Sequence, residues 1–103
     1  SLSREDMGKI VEIELAKIGE RLGEQNLQIK LDAAAKEFLV GKGWDEKYGA
    51  RPLKRALERE LEDPMAEEIL KGKIQKDGGI VKVTEKDGKL AFSQKKNLAK
   101  AKA

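Results

Sequence analysis

Basic side chains gather at the start of a predicted helix in the middle of the chain. Pro52 is typical of a first helical turn, because its φ is already fixed and it has no amide hydrogen to lose. Arg51, Lys54 and Arg55 surround it, where helix starts usually carry carboxylates. These cations share one helical face, and together with free backbone amides they could bind a phosphate. The pattern indicates either an anion site or a solvated basic face partly neutralised by Glu58.

A longer motif surrounds these cations. The run Lys-Tyr-Gly-Ala-Arg-Pro-Leu-Lys-Arg-Ala at 47–56 is followed by Glu62-Asp63-Pro64. This segment resembles the sensor-2 segment of the Clp family of AAA+ protein unfoldases, and the likeness extends from about Leu2 to about Phe92. In that family the segment lies in the small C-terminal domain, or lid, of the second ATPase module.

The resemblance implies roles for individual residues. Arg51 would take the sensor-2 role and reach the terminal phosphates of an ATP that a preceding large domain holds together with its Mg²⁺. Ala50 and the adjacent backbone would help to close the nucleotide pocket. A pairing of Lys54 with Glu58 stays open. A contact of Arg55 with a neighbouring domain stays open as well.

The resemblance also implies partners for a longer parent protein. These are the large domain of the same chain, neighbouring subunits of a homo-hexamer, and protein substrates pulled through the central pore by ATP-driven domain motion. The first helix favours a ClpC-type degradation machine over a ClpB-type disaggregase, and a ClpP-type peptidase would then be a further partner. The family implies a cytoplasmic location, with neither nucleic acid nor a membrane as partner.

Catalysis by this chain alone is not expected. A nucleotide-hydrolysing domain needs a phosphate loop of the type Gly-x4-Gly-Lys-Ser/Thr, and the segment 41–43, Gly-Lys-Gly, lacks both the spacing and the hydroxyl. In the Clp family the Walker A and B elements belong to the large domain. The chain has no His and no Cys, which removes disulfides, the usual zinc ligands and every Ser-His or Cys-His arrangement. We therefore expect no catalytic residue and no metal site.

Length and composition limit the number of domains and the kind of core that the chain can form. The 103 residues suffice for one domain, and 40% charged against 4% aromatic residues predict a small aliphatic core. No apolar run approaches the length of a membrane span. Residues 95–103 carry lysines without acids, whereas acidic and basic side chains nearly balance in the remainder. The sequence predicts a small domain over 1–94 and a basic, disordered tail over 95–103.

Periodicity predicts an α+β fold with three or four helices and a small three-stranded sheet. Ser3 caps a long helix that Gly23 ends, and its apolar stripe is Met7, Val11, Leu15, Ile18 and Leu22. Ile10 and Ile13 lie off this stripe, so they either widen the buried face or leave apolar surface for another domain. A strand over 27–31 and an Asp32-capped helix from Ala33 follow, with the inward residues Ala35, Phe38 and Leu39.

The second half of the domain is predicted in the same way. Trp44 and Tyr48 are expected to pack over the loop that leads to the basic helix start. The helix after it carries the inner stripe Leu53, Leu57, Leu61, Met65 and Ile69. Pro64 should kink this helix or restart it with Asp63 as the cap. The Asp87-Gly88 turn then predicts a hairpin.

Two alternatives compete with the lid domain. The predicted element order is also that of winged-helix DNA-binding domains, in which the helix after Arg51 would enter the major groove. Acidic residues on that helix, among them Glu58 and Glu67, oppose contact with phosphates. The second alternative is an interaction domain without a nucleotide role.

Overall fold

The computed structural model of the protein describes residues 3–23, 27–75 and 79–95. Within these ranges a continuous third helix consists of α3, a π-helical segment and α4, so that three helices accompany a three-stranded sheet. The predicted α+β class is confirmed. In chain order the elements are α1 (Arg4–Leu22), β1 (Gln28–Leu31), α2 (Ala33–Gly43), α3 (Leu53–Leu57), the π segment (Glu58–Glu62), α4 (Asp63–Leu70), β2 (Ile80–Lys86) and β3 (Lys89–Lys95).

The sheet has the order β1-β2-β3, with β1 parallel to β2 and β2 antiparallel to β3. The parallel pair requires a crossover, which α2 and the third helix supply. The predicted hairpin joins β2 to β3, and its turn residues Asp87 and Gly88 have φ values of 53° and 79°. Two positive φ angles in a two-residue turn match the right-handed twist of the flanking strands.

One face of the sheet packs on the helices and encloses the core. Val81 and Val83 of β2 point inward, as do the half-buried Leu90 and Phe92 of β3. The helices contribute aliphatic side chains, because the chain has few aromatic residues. The buried hydrophobic residues are Met7, Val11, Leu15, Ile18, Leu27, Ala35, Leu39, Val40, Leu53, Ala56, Leu57, Leu61, Met65, Ile74, Val81 and Val83.

The first two helices begin at the predicted caps. The Ser3 hydroxyl accepts a hydrogen bond from the Asp6 amide at 3.2 Å, and the Asp6 carboxylate accepts one from the Ser3 amide at 3.1 Å. This reciprocal capping box satisfies two amides that the helix itself cannot pair. The Asp32 carboxylate caps α2 by accepting from the Ala35 amide at 2.8 Å. Gly23 ends α1, as predicted.

The third helix accommodates its proline by widening rather than by restarting. Pro64 has no amide hydrogen for the carbonyl of Glu60, and its ring would clash with that carbonyl in a regular α-helix. In the π segment the Asp63 amide donates instead to Glu58, five residues back. Glu62 holds the cap position of α4 without a side-chain hydrogen bond, so the prediction of Asp63 as the cap was wrong.

The two isoleucines outside the α1 stripe have different environments. Ile10 is half-buried and packs on the core, so it widens the buried face. Ile13 is 58% exposed and leaves apolar surface instead. Both alternatives drawn from the sequence therefore apply, one to each residue.

The end of β3 and the lengths of the helices relate to two further predictions, the basic tail and the lack of a membrane span. β3 ends at Lys95, and the predicted tail beyond it lies outside the described residues. Among the described residues no helix is long and apolar enough to cross a membrane.

Candidate functional site

A tight turn precedes the basic helix start. The Asp45 carboxylate accepts hydrogen bonds from the amides of Lys47 and Tyr48 at 2.8 and 2.9 Å. The backbones of Asp45 and Gly49 also exchange two hydrogen bonds, of 2.9 and 2.6 Å. Gly49 has a φ of +65°, a conformation that a side chain disfavours. The turn therefore fixes the direction in which the chain enters the next segment.

The aromatic residues of this loop differ from each other. Trp44 is half-buried and packs against the core, as predicted. Tyr48 is 53% exposed, so the prediction that it packs over the loop was wrong. Its ring lies 5.2 Å from the Lys47 ammonium, an arrangement that keeps the ring at the surface.

Arg51 lies at the end of this loop, directly before the third helix. Its side chain is exposed, and its amide donates to the Tyr48 carbonyl at 3.4 Å. Pro52 takes the cap position of α3 with α-helical angles, and the helix begins at Leu53, one residue after the predicted start. Leu53 is buried and its amide donates to the Ala50 carbonyl at 3.0 Å. Arg51 is thus held at the surface by a buried neighbour two residues away.

A groove of about 710 Å³ runs beside Arg51, between the second half of α1 and the third helix. Its apolar floor includes Ile10, Ile18 and the half-buried Ala50. Charged side chains of both signs form its walls. They are Glu14, Lys17, Arg21, Arg51, Lys54, Glu58, Glu62 and Asp63.

Ion pairs occupy some of these charges and leave others available. Lys17 pairs with Glu14 at 3.3 Å along α1. Arg21 spans from α1 to Glu62 of the π segment with two hydrogen bonds of 3.0 and 2.8 Å. Among the described residues Arg51 has no ion pair and no side-chain hydrogen bond. It is therefore a cation on the groove wall that an incoming anion can bind.

The other two cations near the helix start, Lys54 and Arg55, differ in whether they border the groove. Lys54 lines it, and the pairing with Glu58 that the sequence left open is absent between these two described residues, although four positions separate them. A long exposed side chain loses rotamer freedom when it forms such a pair, which opposes the pairing. Arg55 is exposed and does not border the groove.

The Arg21–Glu62 pair was not predicted. It joins residues 41 positions apart, and Arg21 lies far from the segment around Arg51 to which Glu62 belongs. The carboxylate of Glu62 holds the pKa of the Arg21 guanidinium above its ordinary value, so this cation stays charged. The only sequence signal was the position of Arg21 in the last turn of α1, where it also complements the helix dipole.

The fold and the groove together define a class of protein. The chain is a small α+β domain whose basic loop borders an open groove. It has no cluster of metal-ligating side chains within the described residues. A family model described as the C-terminal, D2-small domain of ClpB protein matches residues 2–83. The chain belongs to this family.

Several curated relatives agree with this assignment. The chaperone protein ClpB of Rhodopseudomonas palustris is 45% identical over 94 residues, which cover 91% of this chain and 11% of the relative. The ClpB proteins of Mesorhizobium japonicum and Aquifex aeolicus are 44% and 41% identical over 102 residues, which cover 99% of this chain. The chain spans about a tenth of the length of these relatives.

The comparisons support some of the expectations drawn from the sequence and not others. The resemblance to a Clp-family small domain is confirmed, and the family model and the relatives named above are of the ClpB type, whereas the first helix favoured the ClpC type. The winged-helix alternative has no support from them. The nucleotide-binding role of Arg51 and Ala50 stays a prediction.

Proposed function

We propose that this domain is the lid of an ATP-dependent protein unfoldase and that Arg51 senses the nucleotide. The observation that carries the proposal is the Arg51 guanidinium, exposed on a groove wall without an ion pair among the described residues. The family supports it, since the matched relatives are named chaperone protein ClpB. ATP and its Mg²⁺ would be held by a large domain outside this chain.

The groove supplies what a lid requires. Arg51 would donate charge-assisted hydrogen bonds to the terminal phosphates, while the half-buried Ala50 closes the apolar side of the pocket. The Asp45–Gly49 turn and the buried Leu53 hold Arg51 from both sides. Little reorganisation is then needed when the nucleotide enters.

The free energy expected for the contact between Arg51 and the terminal phosphate is large enough for a nucleotide-dependent switch. A hydrogen bond to a charged group contributes about 1.5–3 kcal/mol, which corresponds to roughly 10- to 150-fold in an equilibrium constant. This contribution disappears when the terminal phosphate leaves. A difference of this size between two nucleotide states can bias a hinge between two domains. The motion would act within a homo-hexamer on protein substrates.

The parent's wider activity belongs to the same proposal. The relatives' printed name favours a chaperone role over protein degradation, so a ClpP-type peptidase is the less supported partner. A cytoplasmic location and the absence of a nucleic-acid partner stay predictions. The fragment itself would bind ATP only together with the large domain.

The experiment places Arg51→Ala in the full-length parent and measures steady-state ATP turnover. We expect turnover to fall by about 10-fold or more, because a contact made to the terminal phosphate is lost. The melting temperature of the isolated domain should stay within about 1 °C, since an exposed side chain without partners contributes little to stability.

Arg59→Ala is the matched control. Arg59 is exposed on the same continuous helix and does not border the groove, and within the described part of the chain it pairs only with its neighbour Glu60, at 3.2 Å. It should leave turnover unchanged. Equal turnover in the Arg51 variant and the native parent would instead favour the interaction domain without a nucleotide role.

A further inference from the structure

Lys54 is a second cation on the groove wall that carries Arg51. It lies in the first turn of α3, three positions after Arg51, and it is exposed. Both residues border the groove. Among the described residues Lys54 has no ion pair and no side-chain hydrogen bond, although Glu58 lies one turn further along the helix. Two unpaired cations therefore share this wall.

Most carboxylates of the groove interact with two other cations. Glu14 pairs with Lys17 at 3.3 Å, and Glu62 accepts both hydrogen bonds of Arg21. The hydrogen bonds from Arg21 to Glu62 raise the pKa of the guanidinium, and the negative charges of Glu14 and Glu58 add to this effect. The charge of Glu58 therefore acts on Arg21, although its side chain forms no ion pair with the lysine one turn before it.

Asp63 is the remaining acidic residue on the groove wall, and it lies far from Lys54. Nine positions separate the two residues on the continuous third helix, which corresponds to about 14 Å along its axis. At about 0.15 M salt a charge is screened within about 8 Å. The end of the groove at Arg51 and Lys54 therefore carries excess positive charge, whereas carboxylates outnumber cations in the remainder. An anion that enters the groove is directed to this end.

The two cations differ in the phosphate chemistry that they suit. The planar guanidinium of Arg51 can bind a pair of oxygens on one phosphate group. The ammonium of Lys54 is a compact point charge on a flexible stem, so it suits a phosphate whose position is less constrained. The two cations also repel each other, which favours contacts to different groups over contacts to the same one. An anion with several linked phosphates meets these requirements, because each cation then binds its own group.

We propose that Lys54 is a second phosphate-binding residue of the groove and that it binds an inner phosphate, which ATP and ADP share. The inference rests on the proposed function, in which Arg51 binds the terminal phosphate of the same nucleotide. When the terminal phosphate leaves, the Arg51 contact is lost and the Lys54 contact stays. The domain then keeps part of its affinity for the nucleotide after hydrolysis, while the contact that biases the hinge disappears.

The experiment places Lys54→Met in the full-length parent and measures the KM for ATP and the inhibition constant of ADP. Both constants should rise by about fivefold or more, because a charge-assisted contact is lost at a site that solvent reaches. Methionine keeps the length and the apolar stem of the lysine, so a packing role alone would leave both constants at their native values. Lys54→Arg restores the charge and should keep both constants within about threefold of native.

Lys9→Met is the matched control, because Lys9 is an exposed lysine on α1 that does not border the groove. It makes the same chemical change and should leave both constants within about twofold of native. Native constants in the Lys54→Met variant would overturn the proposal. A rise for ATP alone would also overturn it, because an inner phosphate belongs to both nucleotides, and so would a rise that Lys54→Arg does not reverse.

Arg51→Ala separates this inference from the proposed function. Besides its effect on turnover, it should raise the KM for ATP and leave the inhibition constant of ADP within about twofold of native, because ADP lacks the terminal phosphate. If Arg51→Ala changes neither turnover nor these constants, the proposed function fails, and the inference that rests on it fails too. If Arg51→Ala acts on ATP alone and Lys54→Met acts on neither nucleotide, only the second phosphate-binding residue is overturned.

Discussion

Gly43 at the end of α2 lies directly against Leu53 at the start of α3. A Cβ atom added to Gly43 would lie 2.9 Å from the Leu53 Cα and 2.5 Å from its Cδ1. Both residues are buried, and the loop that carries Arg51 connects them. The position of Arg51 therefore depends on a contact that only a glycine permits.

Gly43→Ala should destabilise the domain by about 1–3 kcal/mol, because the added methyl group must displace the Leu53 backbone. Urea unfolding of the isolated domain measures the change. Gly41→Ala is the matched control, since a Cβ there meets nothing within 4 Å. On the same helix it should be neutral or stabilising by up to about 1 kcal/mol. Equal stability of the two variants would contradict the close contact.

The Arg21–Glu62 pair should stabilise the domain modestly. The Arg21 side chain is 52% exposed, so solvent screens the charges, and we expect a coupling free energy of about 0.2–1 kcal/mol. A double-mutant cycle of Arg21→Ala and Glu62→Ala, followed by urea unfolding, measures it. Arg21→Lys should recover little of the coupling, because an ammonium cannot form both hydrogen bonds. A coupling that survives about 1 M salt unchanged would contradict this interpretation.

Much of the fold could be predicted because local chemistry determines it. Ser3 and Asp32 cap their helices as expected, since their side chains reach amides only three residues away. The turn at Asp87 and Gly88 is equally local. The parallel pairing of β1 with β2 joins residues about fifty positions apart, such as Ile29 and Val81, and no short pattern specifies it.

The candidate site was predicted less completely for the same reason. Arg51 and Ala50 belong to a contiguous motif, so a resemblance could indicate them. The groove wall opposite them comes from α1, and Arg21 meets Glu62 only in the folded chain. Pro64 signalled an irregular helix, but its sequence position could not tell a restart from a π segment.

Two leucines of the third helix differ in burial, because Leu61 lies on its apolar stripe and Leu70 does not. Leu61 is fully buried, whereas Leu70 is 87% exposed. Leu61→Ala should cost about 2–5 kcal/mol, because it removes buried methyl groups and leaves a cavity. Leu70→Ala should change the stability by less than about 0.5 kcal/mol. Guanidinium unfolding compares the two, and similar losses would contradict the burial of Leu61.

The Asp32 cap should make the stability of the domain depend on pH. Hydrogen bonds from the Thr84 hydroxyl and the Ala35 amide hold the pKa of Asp32 below its ordinary value of 3.8. Because the folded state binds this proton less readily than the unfolded chain, the carboxylate stabilises the fold at pH above about 4. That stabilisation is lost as the pH falls through the lowered pKa.

Asp32→Asn separates the charge from the cap. Asparagine keeps an oxygen that can accept from the Ala35 amide, but it does not titrate. At pH 7 we expect the native chain to melt several degrees above the variant, because the acceptor is charged only in the native chain. Thermal unfolding followed by circular dichroism between pH 2 and pH 7 should show the two melting temperatures converging below about pH 4, where the native carboxyl gains its proton. A difference that stays constant over this range would mean that the charge of Asp32 does not stabilise the fold.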